Sequence, residues 1–319
     1  MFPEELMEIL DGGRAYNDGH PPAELRFGSN TCANPAKDAP PMTILGSLQK
    51  AWFKERLKSS SATWKIWGNS QGALDWRSDP QNLPAGLTVP WPSGVASMGG
   101  SDYGTAYVER GEIYDLVRDA KITGFAIVSG DRHSFWAGYA AKALPPKPFE
   151  PVGLSFVGAS VSSPGAMEAN EHRFPKDHPL RALFLADRAR GKPEWTYNML
   201  LRHGVRSCLE YAKNGDLARA RALSNPSLSP HLEFLDLGGH GYAKVRLSAD
   251  EMRTEFVCIP RPVTRSDRPD GGPLRYRVVH VAPLWRAGER PRLRQEVLEG
   301  DPGLSIQGSI DPDGLAIFE

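Results

Sequence analysis

The tetrapeptide Gly130-Asp131-Arg132-His133 carries the sharpest chemical signal in this sequence. It follows a short apolar run, and in an extended turn residues two apart point the same way, with Cα atoms about 6–7 Å apart. Asp131 and His133 can therefore address one centre together. Carboxylate oxygen and imidazole nitrogen both ligate divalent or trivalent metals. The alternative is that Asp131 caps a turn and His133 is an ordinary, hydrogen-bonded polar residue.

Two further polar residues stand beside glycines. Asn69 follows Gly68, and its side chain can offer an oxygen to a metal or an N–H to a phosphate; a simple turn former is the alternative. His240 lies between Gly239 and Gly241, which would let its ring approach a ligand closely. A histidine at the tip of a hairpin is the alternative there.

The elements that must position these residues follow an α/β rhythm. The apolar runs Gly124–Val128 and Leu154–Val157 predict buried strands, and Thr63–Trp67 predicts another. A helix is predicted from Thr43, which caps it, and a second one carries Ile113 and Val117. In the first helix the apolar residues of one face are Leu48, Trp52 and Leu57.

The later part of the chain changes its period. A helix with Leu201 and Cys208 on one face is predicted to continue through Gly204. Beyond Pro230 the alternation of apolar and polar residues predicts antiparallel strands. These strands are Leu232–Phe234, Tyr242–Leu247, Met252–Ile259 and Leu274–Val281. The segment from Gln71 to Gly104, rich in Gly, Pro and Ser, is predicted to be a long loop that overhangs the site.

Composition excludes several classes of protein. Lys and Arg number 38, as do Asp and Glu, so no sustained field of one sign supports a dedicated nucleic-acid-binding role. No run of eighteen apolar residues is present, and the first residues lack the pattern of a secretory signal. Three scattered cysteines argue against a disulfide framework, and Cys208 and Cys258 are predicted to be core residues. Arg110 and Arg118 are predicted to lie on a solvated helix face.

Taken in order, several stretches resemble the PhoD-like alkaline phosphatases, a branch of the calcineurin-like metallophosphoesterases. They are residues 43–53, the stretch Ala62–Asn69, the turn Val128–His133, the motif Ser162–Gly165 and the tripeptide His240–Tyr242. The resemblance covers residues from about 40 to 165 and, more loosely, 235 to 260.

The resemblance implies a metal-dependent hydrolase of phosphate mono- or diesters with an α/β fold. The implied architecture is an α/β/β/α sandwich of two facing sheets flanked by helices. In the family, the Gly-Asp-x-His turn supplies metal ligands. The resemblance therefore implies that Asp131 and His133 are catalytic and metal-binding residues, and it makes Asn69 and His240 candidate metal ligands by position only. The family uses iron with calcium, so these metals are expected, and other divalent metals are the alternative.

The sequence departs from the family at its N-terminal side. The family's first strand with its aspartate, and its Trp-Asp-Asp-His-Glu type motif, have no counterpart in this sequence. We therefore predict an irregular wrapping segment at 1–42, the C-terminal portion of a metallophosphatase-like domain at 43–285, and a polar tail at 286–319. Such a fold would be incomplete at its N-terminal side.

Two functional hypotheses follow from that departure. In the first, the chain is weak or inactive alone and works as a homo-oligomer or with an N-terminal partner chain. In the second, it is a non-catalytic remnant or interaction module of the same fold.

Overall fold

The computed structural model describes residues 1–87, 91, 94–99, 102–168, 173–187, 194–260, 267 and 272–305. The strands in those residues are β1 Phe2–Pro3, β2 Glu24–Phe27, β3 Asn30–Ala33, β4 Lys65–Gly68, β5 Arg77–Ser78, β6 Ala96–Ser97, β7 Phe125–Ser129, β8 Phe135–Ala141, β9 Pro151–Val157, β10 Leu232–Asp236, β11 His240–Leu247, β12 Glu251–Ile259, β13 Tyr276–Pro283 and β14 Arg294–Gly300. The helices are α1 Glu4–Gly12, α2 Tyr16–Gly19, α3 Gly46–Ser59, α4 Tyr107–Asp119, α5 Tyr197–His203, α6 Val205–Asn214 and α7 Leu217–Ala222.

A five-stranded sheet in the order β10-β8-β9-β7-β4 contains the three strands predicted from the apolar runs. β4, β7 and β9 are parallel neighbours, whereas β8 and β10 pair antiparallel. Parallel pairing brings the carboxyl ends of β4, β7 and β9 to the same edge of the sheet. The polar residues that follow β4 and β7 are therefore neighbours in space.

A second, four-stranded sheet in the order β11-β12-β13-β14 is antiparallel throughout. The antiparallel pairing predicted beyond Pro230 is confirmed for β11 to β13. β10 also pairs antiparallel, as predicted, but with β8 of the five-stranded sheet. β14 lies inside the segment predicted to be a polar tail at 286–319. The residues of β14 are exposed or half-buried along the whole strand, which lies at the edge of the sheet.

The two sheets pack face to face through aromatic side chains. Phe135, Phe156 and Phe234 of the five-stranded sheet meet Phe256 and Tyr276 of the four-stranded sheet. The rings of Phe135 and Phe256 stack with centroids 4.8 Å apart. The predicted mixed α/β fold with two facing sheets is confirmed.

Helices cover the outer face of the five-stranded sheet. α3 and α4 pack over its β4–β7 side, and α5, α6 and α7 pack over its β8–β10 side. Within the ranges that the structure describes, no helix combines the length and apolar character needed to span a bilayer. Cys208 and Cys258 are buried as predicted, and burial raises the pKa of the Cys258 thiol to about 12.

The predicted apolar face of α3 is only partly buried. The Thr43 hydroxyl accepts from the Gly46 backbone N–H at 2.8 Å in the turn before α3. The helix begins at Gly46, and the residue before it, Leu45, makes no side-chain cap, so the predicted cap at Thr43 was wrong. Leu57 is buried, but Leu48 and Trp52 are exposed. The helix is rotated so that Phe53 packs on Trp67 of β4, with ring centroids 4.8 Å apart.

The helix predicted to continue through Gly204 is in fact two helices, α5 and α6. Gly204 has φ +90°, and a side chain at this position would collide with Asp79. The Asp79 carboxylate accepts from the Val205 N–H at 2.7 Å, so it caps α6. The helix breaks at a glycine because a side chain at this position would displace the Asp79 carboxylate that caps α6.

The N-terminal residues are more regular than predicted. The segment 1–42 contains helix α1 and the β2–β3 hairpin, so its description as irregular was wrong for those residues. Two acidic side chains fix α1 to the body: Glu4 pairs with Arg77 at 3.0 Å, and Asp11 accepts from the Val108 N–H at 2.7 Å. The domain limits at 42 and 285 stay predictions.

His280 gives the core a defined response to acid. It lies fully buried among Phe156, Phe234 and Phe256, and burial lowers its pKa to about 3. Between pH 6.5 and 3 the unfolded chain therefore binds more protons at this residue than the folded chain does. Stability contributed by neutral His280 is lost as the pH falls, at up to about 1.4 kcal/mol per pH unit.

His280→Leu should remove that part of the acid sensitivity. The free energy of unfolding, measured by urea denaturation at pH 7, 6, 5 and 4, should fall less steeply towards acid in the variant than in the wild type. Equal slopes would show that His280 titrates in the folded protein as it does in the unfolded chain.

Candidate metal centre

The candidate site lies where β4 and β7 end. The Asn69 N–H donates to the Val128 carbonyl at 2.9 Å, so the ladder between the two strands continues into the polar turn. The Gly158 N–H donates to the Ser129 carbonyl at 2.9 Å on the other side of β7. Asn69 and the 130–133 turn are thereby held at one edge of the five-stranded sheet.

Arg132 anchors the turn by pointing into the protein. Its Nε donates to Asp102 Oδ2 at 2.9 Å, its Nη2 donates to the Leu74 carbonyl at 2.6 Å, and its guanidinium lies over the rings of Trp76 and Trp136. The residues on either side of it, Asp131 and His133, are exposed. Along the turn, the buried Arg132 therefore lies between two exposed residues.

The turn is not extended, contrary to the sequence prediction. Asp131 has φ +69° and His133 has φ +48°, both in the left-handed region that is rare for residues with a side chain. Each such conformation costs about 1–3 kcal/mol and persists only where the surroundings enforce it. The buried Arg132 between the two residues supplies that enforcement.

His133 is oriented by a backbone carbonyl. Its Nδ1 lies 2.8 Å from the Pro164 oxygen, and because a carbonyl can only accept, Nδ1 carries the proton. The lone pair of the neutral ring is then on Nε2. Histidines that bind metals are held in the same way, with one ring nitrogen donating to a fixed oxygen and the other free to coordinate.

His240 reaches the same loop from the other sheet. Its ring is buried beside Gly165, where an added Cβ would lie 2.8 Å from Nε2. Neither ring nitrogen has a hydrogen-bond partner among the described residues. Burial lowers the pKa of His240, and nearby His133 acts in the same direction, whereas the Ser160 backbone and the Asp236 charge act in the opposite direction.

The loop at Pro164–Gly165 therefore brings His133 and His240 together. The sequence predicts no role for Pro164 and Gly165, which belong only to a matching motif. Glu168 was not predicted either: its Oε1 lies 3.6 Å from His240 Nε2, and its Oε2 accepts from the Gly165 N–H at 2.9 Å. Glu168 opens an irregular, charged stretch, and nothing in its sequence context marks it.

The carboxylate at the end of β10 is already engaged. Asp236 is fully buried and accepts from the Tyr276 hydroxyl at 2.7 Å and from Arg275 at 3.2 Å. It serves the packing of β10 on β13 rather than the site.

The donors fit a metal in kind but not in number. The Asn69 side-chain nitrogen donates to the Gln71 carbonyl at 2.8 Å, so the Asn69 side-chain oxygen points away from Gln71. The Asp131 carboxylate is exposed. Across the residues that the structure describes, however, no three His, Cys, Asp or Glu side chains come close enough to hold a metal ion together.

The early part of the segment Gln71–Gly104, which was predicted to overhang the site, contributes to the core; residues 88–90, 92–93 and 100–101 of the segment lie outside the described residues. Leu74, Asp75, Arg77 and Asp79 in its described part are buried. Arg132 and Arg110 bond to its backbone at Leu74 and Ala73.

Comparison with known proteins gives three findings. The chain is 25% identical over 152 residues to alkaline phosphatase D of Bacillus subtilis, a match that spans 48% of this chain and 22% of that enzyme. A solved structure of PhoD is similar with a TM-score of 0.47 and 15% identity, over 84% of this chain and 37% of the PhoD chain. The chain thus corresponds to well under half the length of these relatives. The family model of the PhoD-like phosphatases matches residues 7–256, most of the chain, and the protein belongs to that family.

Proposed function

We propose that the protein takes part in metal-dependent hydrolysis of phosphate esters, with Asp131 and His133 as metal ligands. The observation that supports this most directly is the orientation of His133, whose Nδ1–H is held by the Pro164 carbonyl so that Nε2 faces outward with its lone pair. His240, which is buried beside the same loop with Glu168 Oε1 3.6 Å from its Nε2, is the second nitrogen donor. Asn69 completes the candidates of this chain.

The residues of the chain act by holding and orienting. Arg132 fixes the turn, the Pro164 carbonyl fixes the His133 tautomer, and burial keeps His240 neutral. Bound metal ions supply the remaining chemistry, since they neutralise a phosphate and lower the pKa of water. We propose iron with calcium as the metals, because the resemblance implies them. A phosphate mono- or diester is the substrate.

We propose that the chain alone has little activity. With fewer than three His, Cys, Asp or Glu donors together among the described residues, it should bind metal weakly and turn over slowly. This observation also favours the second candidate function, a non-catalytic interaction module of the same fold.

Metal binding and hydrolysis by the purified chain test the assignment. Calorimetric titration with iron and calcium should show weak binding, and Asp131→Asn should reduce the affinity by at least about 100-fold, since even outer residues of metal sites contribute 10–100-fold. Hydrolysis of p-nitrophenyl phosphate and bis-p-nitrophenyl phosphate should fall in parallel.

Asp119→Asn is the matched control, because its exposed carboxylate lies at the end of α4. Unchanged affinity in Asp131→Asn would contradict the site assignment. A folded chain that binds neither metal, with or without the substitution, would favour the interaction module.

A further inference from the structure

The loop that follows β9 connects the two sheets at the candidate site. The Gly241 N–H, at the start of β11, donates to the Ser160 carbonyl at 2.9 Å, and the Ala166 N–H donates to the His133 carbonyl at 3.2 Å. Inside the loop the Ser160 hydroxyl donates to the Ser163 carbonyl at 2.6 Å. Hydrogen bonds therefore hold the loop against β11 on one side and against the turn that carries His133 on the other.

One peptide group of this loop makes hydrogen bonds on both of its sides. Its carbonyl, that of Pro164, accepts from His133 Nδ1 at 2.8 Å. Its N–H, that of Gly165, donates to Glu168 Oε2 at 2.9 Å. A trans peptide group is planar, and its C=O and N–H bonds point in opposite directions. The Glu168 carboxylate and the His133 ring are therefore held on opposite sides of one rigid plane.

Glu168 also closes the turn through its own main chain. Its N–H donates to the Gly165 carbonyl at 3.1 Å, so the two residues exchange a pair of hydrogen bonds. A glutamate that accepts from the N–H three residues before it forms half of a capping box, which is an ordinary way to fix the start of a turn. Closing the turn is thus the structural role of this residue.

The turn 286–289 shows the same pair of bonds away from the site. The Arg286 N–H donates to Glu289 Oε2 at 3.0 Å, and the Glu289 N–H donates to the Arg286 carbonyl at 3.0 Å. Glu289 lines the same cavity as Ile122 and Pro151, which lie at the amino ends of β7 and β9, opposite to the candidate site. This turn is therefore a matched comparison in which the glutamate only closes a turn.

Two contacts distinguish Glu168 from Glu289. The peptide group that Glu168 holds carries the carbonyl that orients His133, and Glu168 Oε1 lies 3.6 Å from Nε2 of the buried His240. A side chain at Gly165 would collide with the His240 ring, so the peptide group lies close to both histidines. A negative charge on one side of a peptide group also strengthens the carbonyl on the other side as an acceptor, because hydrogen bonds in a chain polarise one another.

We propose that Glu168 is a positioning residue of the candidate site: through the Pro164–Gly165 peptide group it keeps the proton of His133 on Nδ1 and the lone pair on Nε2. In many metal sites a carboxylate bonds directly to the ring N–H of the metal-binding histidine. In this chain a peptide group stands between the carboxylate and the ring and transmits both orientation and polarisation. The consequence for metal binding rests on the proposed function, whereas the orientation of His133 does not.

The ring-nitrogen chemical shifts of His133 test the proposal in the metal-free full chain. With 15N-labelled histidine at about pH 8.5, about two units above the ordinary pKa of histidine, they show which nitrogen of the neutral ring carries the proton. His133→Gln identifies the signals among those of the eight histidines. The wild type and the control Glu289→Ala should carry the proton on Nδ1, whereas Glu168→Ala should show a mixture of the two tautomers.

Glu168→Gln keeps the size of the side chain, so a result does not depend on whether Glu168→Ala folds. Its tautomer ratio should lie between those of the wild type and Glu168→Ala, because the amide oxygen keeps the Gly165 bond without the charge. A His133 proton that stays on Nδ1 in both Glu168 variants would overturn the proposal. An equal change in Glu289→Ala would do so as well.

Calorimetric titration of the same variants with iron separates the positioning from the proposed function. Glu168→Ala should lower the affinity by about 10–100-fold, as the loss of residues that orient metal ligands does, and Glu289→Ala should leave it unchanged. Mixed tautomers with unchanged affinity would remove His133 from the metal site and count against the proposed function, while the positioning stands. Lowered affinity with the proton still on Nδ1 would make Glu168 a ligand itself and overturn its action through the peptide group.

Discussion

Arg110→Met should lower the free energy of unfolding by about 3–5 kcal/mol, the range found when one partner of a buried ion pair is removed. Both guanidinium Nη atoms of Arg110 donate to the Asp75 carboxylate at 2.9 Å, and Nη1 also donates to the Ala73 carbonyl. Both side chains are buried. The variant would leave the Asp75 charge in the interior with its principal partner gone.

Urea denaturation at pH 7 measures the effect, and two further variants interpret it. Arg118→Met, on the same helix but 46% exposed, should change stability by less than about 0.5 kcal/mol. Asp75→Leu combined with Arg110→Met should recover much of the loss, because no unpaired charge remains. If the single and double variants are equally unstable, packing rather than charge accounts for the effect.

This ion pair also shows where sequence reasoning reaches its limit. Arg110 and Arg118 lie on one helix and are alike as sequence signals, so both were predicted to be solvated. Arg118 is indeed solvated. Arg110 is buried, because Asp75, from a segment 35 residues away, lies beside it and pairs with it. Local periodicity describes one element and its faces, but a buried charge depends on what another element brings to it.

The same distinction holds for the fold and the site. The apolar run before Asp131 predicted β7, and the parallel neighbour β4 then placed Asn69 beside the turn. The sequence could not show that the turn is left-handed, or that the loop at Pro164 joins His133 to His240. Nor could it show that Leu48 and Trp52 stay uncovered, since an apolar helix face is the same in sequence whether its partner is present or absent.

Arg132 is the residue whose replacement should affect both stability and the site. Arg132→Met removes the bonds to Asp102 and the Leu74 carbonyl and leaves the largely buried Asp102 carboxylate without its ion pair. The expected loss of stability is again about 3–5 kcal/mol. In contrast to Arg110, Arg132 lies between the two candidate ligands, so its loss should also free the strained turn.

The two arginines can therefore be separated by metal binding. In the folded protein, at a temperature well below unfolding, Arg132→Met should reduce affinity for iron by about 10–100-fold, as other positioning residues of metal sites do. Arg110→Met, with a similar loss of stability, should leave the affinity unchanged. Arg132→Lys should give an intermediate result, because lysine keeps the charge but cannot stack between Trp76 and Trp136 or make both planar bonds. Equal iron affinities in the two methionine variants would mean that Arg132 stabilises the protein without positioning Asp131 and His133.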